Sequence, residues 1–404
     1  MRNAIVNRIT RKTPISIERE LSLFHPDCTP LRRRETSRFL NSLRPKLQQE
    51  SPRFDAVAEV AGNSFEFQIG FSTPETIVRD MELVHRIVIN ESKKAGLLMI
   101  GISPPSAPLD FLEFFTTRAF PEIKSLLAPT NSIHIHVGGT SEEELIRRYT
   151  LGNMFVPNIL DISQSSVVNG IKRGRAYHIV QFMNTIPEIL AQPWIIRSFA
   201  EYYEKLENAR EAAQQRIITH ANGSIGPLCA EFPKFAQLDA GRIKLLQLTP
   251  DKVFHLARLR PDLVCEEMGL MGSVEFRAID GQATLERDLA MIELVIGMQG
   301  FLESKMDKTA LSTSEVEVIM QTMQHIAYTP ISESGRITFI LRAMDGFEEM
   351  GLDITRLQGL TANASENYYD NYRIKDVVRS KYIAEHMMSD ENIISTAAEQ
   401  YMGA

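Results

Sequence analysis

The chain is 404 residues long, 44% hydrophobic and 24% charged, with a formal net charge of −7, the profile of a soluble globular protein with ample core. That acidic balance excludes a basic nucleic-acid footprint, and no apolar run reaches the ~20 residues of a membrane helix. Cys28, Cys229 and Cys265 lie too far apart for a zinc spacing or a disulfide framework, and MRNAIVNRITRKTP lacks a secretory apolar stretch, so a cytoplasmic location is expected.

Strict two-residue alternation first appears at ISIERELSLF, 15–24. Ile15, Ile17, Leu21 and Leu23 share one face with Arg19, while Ser16, Glu18, Glu20 and Ser22 share the other. Arg32, Arg33 and Arg34 read as a solvated loop or helix face, and RPKLQQESPRFD, 44–55, as the most loop-like connection. SFEFQIGFS, 64–72, alternates again, with Phe65, Phe67, Ile69 and Phe71 opposite Ser64, Glu66, Gln68 and Gly70. Behind Ser72 and Thr73, Pro74 opens a helix in which Ile77, Met81, Val84 and Val88 recur at helical spacing. Lys93, Lys94 and Gly96 close it, and LLMIG continues as a strand.

SIHIHVG, 132–138, puts His134 and His136 on one face and Ile133, Ile135 and Val137 on the other. Ser141 with Glu144 reads as a capping box that starts a helix. The loop SQSSVVNGIKRGRAYH, 163–178, carries Lys172, Arg173 and Arg175 between and beside glycines, and residues 195–220 read as a long charged amphipathic helix. GSVEFRAID, 272–280, alternates once more, setting Val274, Phe276 and Ala278 against Ser273, Glu275, Arg277 and Ile279. Thr284 caps a helix that is apolar nearly all round, with Glu286 and Asp288 in its first turn. From about 308 the pattern is helical. With no βαβ rhythm, the class is α+β: one largely antiparallel sheet backed by helices, with a helical C-terminal region.

The polar faces of the four alternating segments collect Glu18 and Glu20, Glu66 and Gln68, His134 and His136, Glu275 and Arg277. A single E-x-E or H-x-H is most often a solvated pair, but four such strands together are not readily accidental. Side by side at about 4.8 Å spacing, they bring these groups over a patch roughly 15 Å wide. Crowded glutamates repel and raise one another's pKa values, a cost that bound Mg²⁺ or Mn²⁺ removes. Arg277 beside a ligand carboxylate points to a phosphate-bearing partner. No Walker loop, G-x-G-x-x-G turn or G-x-S-x-G elbow is present.

These segments resemble a known family. NSIHIHVGGT is similar to the H-V-H-V-G strand, and GSVEFRAIDGQATLE to the T-V-E-x-R-x-x-D-x-Q-x-T segment, of the carboxylate–amine ligases in glutamate–cysteine ligase family 2. SIERELSLFHPD resembles its G-x-E-x-E opening, FEFQIGFSTPET its Gln-bearing second strand, and SSVVNGIKRGR partly its S-S-P-x-x-x-G-x-x-x-G stretch. The matches fall in blocks between residues 14 and 300. The resemblance implies a glutamine-synthetase/guanido-kinase-like catalytic domain over 13–307, with a curved antiparallel sheet, and a helical extension over 308–404. It implies ATP and divalent cations, and an amine that attacks an acyl phosphate formed on the γ-carboxylate of glutamate or a similar acid. Carried over residue by residue, Glu18, Glu20, Glu275 and His134 or His136 are metal ligands. Arg277 holds the transferring phosphate, with Glu66 beside it in the catalytic set. Gln68 sits near the acid substrate. The loop cations are read from the loop itself, where glycines beside three cations suit closure over phosphates or a substrate carboxylate: Lys172 and Arg173 are expected at the nucleotide and Arg175 at the acid substrate. The chain departs from the family where Gly101-Ile102-Ser103-Pro104 replaces G-T-H-P and where Gly70 stands for a carboxylate that Glu66 could replace.

The expected protein is an ATP- and Mg²⁺-dependent ligase of a small acid and an amine, without nucleic-acid or membrane partners and dimeric through its apolar C-terminal helices. A metal-dependent amidohydrolase and a catalytically silent nucleotide- or metal-binding homologue are the competing readings.

Overall fold

A computed structural model describes residues 10, 12–59, 62–102, 131–164, 188–221 and 255–364, with separate residues between 176 and 184 and between 395 and 402. Its centre is a seven-stranded sheet of β1 (Ile15–Phe24), β2 (Phe54–Ala58), β3 (Ser64–Ser72), β4 (Leu98–Ile100), β5 (Ser132–Gly139), β6 (Ala257–Arg260) and β7 (Gly272–Asp280). The order is β2-β3-β1-β5-β7-β6, with β4 also on β1. Every pairing is antiparallel. The four segments singled out by alternation are therefore consecutive strands, β3-β1-β5-β7.

Their apolar faces are fully buried: Ile15, Ile17, Leu21, Phe65, Phe67, Ile69, Ile133, Ile135, Val137, Val274 and Phe276 form one core. Among the described residues, α1 (Arg33–Glu50), α2 (Pro74–Lys94), α3 (Glu142–Ile162) and, after short α4 (Glu188–Ala191) and long α5 (Phe199–Ala221), α6 (Leu285–Lys305) pack against the strands, and Tyr202 of α5 donates to Leu259 O of β6. Phe155 of α3 stacks on Phe276 at 5.3 Å between centroids, a favourable aromatic geometry. The helical C-terminal region adds α7 (Thr313–Ile326), α8 (Glu333–Glu349) and α9 (Thr355–Ala364).

The helix signals act as expected at three N-termini. Thr73 accepts from Thr76 N, and Thr284 from Arg287 N, both at 3.3 Å. Ser141 accepts from Glu144 N at 3.2 Å, but the Glu144 carboxylate turns to Thr140 N and Oγ1, so the reciprocal half of the expected capping box is not formed. Gly96 closes α2 with φ 67°, a left-handed conformation in which a side chain is strained.

Three expectations need correction. Residues 44–50 are not a loop but the second half of α1, and 54–58 are a strand. Leu40, Leu43 and Leu47 make a buried helical stripe that outweighs the cost of Pro45 inside the helix. The alternation also slips twice. Between Ile15 and Ile17 of β1 the partner on β3 moves from Ser72 to Ile69, so β3 holds one extra residue; Phe71 is half-buried outside the core. On β7 the partners of Ile135 and Ile133 are Phe276 and Ile279. That bulge turns Ile279 to the core rather than to the face of Glu275.

Candidate active site

The ladder sets the polar side chains opposite one another. Glu18 faces Gln68 on one side and His134 on the other, Glu20 faces Glu66, and His136 faces Glu275, which in turn faces Arg258 of β6. This is no solvated face. Glu66 and His134 are 4% exposed, His136 1% and Glu275 0%.

His134 lies at the middle. Its Nδ1 is 3.1 Å from Glu18 Oε2, 3.8 Å from Glu275 Oε1 and 3.9 Å from Glu66 Oε2. Its Nε2 is 3.0 Å from Ser132 Oγ, and Ser132 spends its single hydroxyl proton on Glu20 Oε2. The proton between Nε2 and Ser132 must then belong to the imidazole. A neutral ring consequently turns the bare Nδ1 lone pair toward three carboxylates. Acceptors do not face acceptors in a buried site unless a proton or a cation stands between them.

The ring of His136 repeats the theme. Its Nδ1 lies 3.2 Å from Ser273 Oγ, and its Nε2, 3.3 Å from Glu18 Oε1, has no hydrogen-bond partner. Two sets of potential ligand atoms lie within 4.8 Å of one another: Glu18, His134 and Glu275, and Glu20, Glu66 and His134. Oxygen-rich sets with one imidazole fit Mg²⁺ or Mn²⁺. The donors present suit the cations that the sequence implies.

The charges of these carboxyls respond to that crowding. For Glu66, burial first, then the charges of Glu18, Glu59 and Glu20, push the carboxyl well above its usual range, against the opposing bond from Gln68 Nε2 at 2.7 Å. Burial also opposes the charge of Glu275, but Arg277 and Arg258, then His136 and His134, overcome it and hold the carboxyl well below that range. Glu18 is likewise held low: burial opposes its charge but is outweighed by the neighbouring imidazoles, His136 first and then His134.

Arginines surround the far end. Arg277 Nη1 donates to Glu275 Oε1 at 2.7 Å, Arg258 Nε to Glu275 Oε2 at 2.5 Å, and Arg260 Nη1 to the same oxygen at 3.0 Å. Arg277 keeps 33% of its side chain exposed, so its guanidinium is within reach of an anion arriving at this face. Arg258, Arg260, Ser132 and Ser273 were not singled out from the sequence. Ser132 and Ser273 share their strands' polar faces with His134 and Glu275, so period two could have found them. The four-residue β6 offers too short a pattern to flag its arginines.

Gly70 has no carboxylate to offer, and Arg53 packs across it: a Cβ there would lie 3.3 Å from Arg53 Cβ and O. Glu66 is the carboxylate that β3 brings to the cluster. Lys172, Arg173 and Arg175 lie outside the described residues, as do Ser103 and Pro104. An amidohydrolase places H-x-H on a parallel barrel strand; here it stands inside an antiparallel sheet, which removes that reading.

No family profile and no curated protein matches the chain. Solved structures match its fold. A bifunctional glutathione synthetase from Pasteurella multocida superposes over 97% of this chain and 52% of its own, at 13% identity and a TM-score of 0.58. A glutamate–cysteine ligase from Francisella tularensis, crystallised in complex with AMP, superposes over 98% of this chain and 91% of its own, at 9% identity and a TM-score of 0.53. The chain thus spans about half the length of the Pasteurella protein. At such identities the likeness establishes the fold alone: this chain shares its architecture with the glutathione synthetase and the glutamate–cysteine ligase.

Proposed function

We propose that the protein is an ATP-dependent carboxylate–amine ligase that joins an amine to the γ-carboxylate of glutamate or a similar acid through an acyl phosphate. The observation that carries this reading is the convergence of Glu18, Glu20, Glu66 and Glu275 around His134 on one buried sheet face, within a fold shared with glutamate–cysteine ligase.

Phosphoryl transfer asks a protein for position and charge more than for a nucleophile. Bound divalent cations would supply Lewis acidity and neutralise phosphate oxygens there. Glu18, His134 and Glu275 would hold one, and Glu20 with Glu66 a second. His136 would line the first set from beside Glu18. Ser132 fixes the ring of His134 and a lone pair of Glu20, as partners behind metal ligands do. Arg277, with Arg258 and Arg260 behind Glu275, supplies planar donors suited to the transferring phosphate. Gln68, tied to Glu66, would orient the acid. Lys172, Arg173 and Arg175 are assigned to the nucleotide and the acid from sequence, and the homodimer and cytoplasmic location belong to the same proposal.

The test is release of ADP and phosphate with glutamate and a panel of amines in Mg²⁺. Amine-dependent ADP release is expected. Glu275→Gln, which removes a ligand charge while keeping the shape, is expected to lower kcat by about a hundredfold or more. No amine-dependent turnover across the panel would overturn the ligase.

A further inference from the structure

On β1 the two carboxylates that reach both cation sets are separated by an arginine that points the other way. Arg19 is fully buried among apolar neighbours, where a strand would ordinarily carry an aliphatic residue. A charge there is costly unless it is paired and hydrogen-bonded throughout.

Its partners are the next residue along and two distant parts of the chain. Arg19 Nε donates to Asp288 Oδ2 of α6 at 2.9 Å, Nη2 to Gln282 O at 3.3 Å, and Nη1 to the backbone O of Glu20 at 2.6 Å. Tyr401 Oη donates to the same Asp288 oxygen at 3.1 Å, and the guanidinium carbon lies 5.5 Å from the centre of the Tyr401 ring. That ring meets His85 of α2 edge-on at 4.8 Å, and Met402 Sδ accepts from Met99 N of β4 at 3.1 Å.

The socket leaves no slack. A Cβ on Gly101 would fall 2.3 Å from Tyr401 Cε2 and 2.6 Å from Arg19 Nη2; one on Gly281 would fall 2.5 Å from Arg19 Nη1.

We propose that Arg19 is a positioning residue for the cation-binding strand and that Tyr401 is its latch, so that the separation of the Glu18 and Glu20 carboxylates is set from beneath the sheet by the Tyr401 side chain. The inference rests on the cation-binding reading of the polar face. Arg19 is locked into the ladder opposite Phe67 and Ile133, and its guanidinium holds the carbonyl of Glu20 directly. A change in how deeply Arg19 is drawn toward Asp288 therefore rotates the strand segment that carries Glu18 and Glu20. Asp288 aims the guanidinium, and the Tyr401 hydroxyl aims Asp288. Such a chain acts on ligand geometry without touching a ligand.

The experiment is Mn²⁺ binding to the full-length protein by titration calorimetry and electron spin resonance, for wild type, Tyr401→Phe and Arg19→Lys. Tyr401→Phe keeps the ring and loses only the hydroxyl; Arg19→Lys keeps the charge and loses the fork. Each is expected to bind Mn²⁺ about tenfold more weakly, with an altered resonance line shape. The control is Ile340→Val in α8, which is expected to lower the melting temperature without changing the Mn²⁺ affinity. Wild-type binding that persists within twofold in both variants overturns the latch and leaves the cation reading standing. Absence of Mn²⁺ binding by the wild type overturns the cation reading and the latch together.

Discussion

At the scale of single residues, burial decides which charges the protein can carry. Glu293 of α6 is 3% exposed as a side chain and lies 3.0 Å from Arg356 Nη1, while its other oxygen has no hydrogen-bond partner. Burial pushes its carboxyl up to about 7, only partly offset by Arg356. A carboxyl whose folded pKa is raised contributes stability that is fully present below the unfolded value and is lost as pH rises through the folded one. For Glu293 that window runs from pH 4.5 to about 7. Glu293→Gln mimics the protonated form at every pH. Urea unfolding is expected to show the variant gaining about 2 kcal/mol on wild type between pH 5 and pH 8. A constant difference across that range would show that Glu293 titrates normally.

At the scale of elements, helix α8 can reach α6 only through a notch. A Cβ on Gly346 would lie 2.1 Å from Gly297 O, and one on Gly297 would lie 2.2 Å from Ala343 O. The backbones touch where no side chain intervenes. Gly346→Ala is expected to lower unfolding stability by about 1–3 kcal/mol in chemical denaturation, without loss of helical circular dichroism in the folded state.

This crossing was invisible in the sequence, where Gly297 and Gly346 are isolated glycines in helical patterns. The four central strands were legible, because a sheet buried on one face and acidic on the other must alternate. What remained hidden has physical causes. The stripe of Leu40, Leu43 and Leu47 was masked by Pro45 and a polar surround. The bulges depend on which strand lies alongside, and the arginines of β6 become neighbours of Glu275 only through pairing. The convergence of Glu18, Glu66 and His134 was legible as a possibility of type and period; its tautomer-level detail, through Ser132, was not.

At the scale of the whole molecule, an acidic cluster sits inside a sheet whose other face is the main core, so the same strands carry stability and chemistry. The cation-free protein bears the mutual repulsion of buried carboxylates, and ligands that bind only the folded state relieve it. Mg²⁺ or Mn²⁺ at a hundredfold excess over its dissociation constant is expected to add about 2.7 kcal/mol to unfolding. That gain is readable as a rise in melting temperature that a chelator reverses. An unchanged melting temperature at saturating cation would set the acidic cluster apart from cation binding.

The extra residue in β7 also fixes the grammar of its motif. Glu275 and Asp280 are five positions apart, an odd interval that in a regular strand would put them on opposite sides. Yet Glu275 pairs with His136 and Asp280 with Ser132, two residues of like parity on the unbroken β5. The bulge absorbs the odd step. Deleting a single residue at 277 or 278 would therefore not swap inside for outside: it would iron out the bulge and leave a regular strand, with Ile279 still opposite Ile133 on the core side and Asp280 still opposite Ser132.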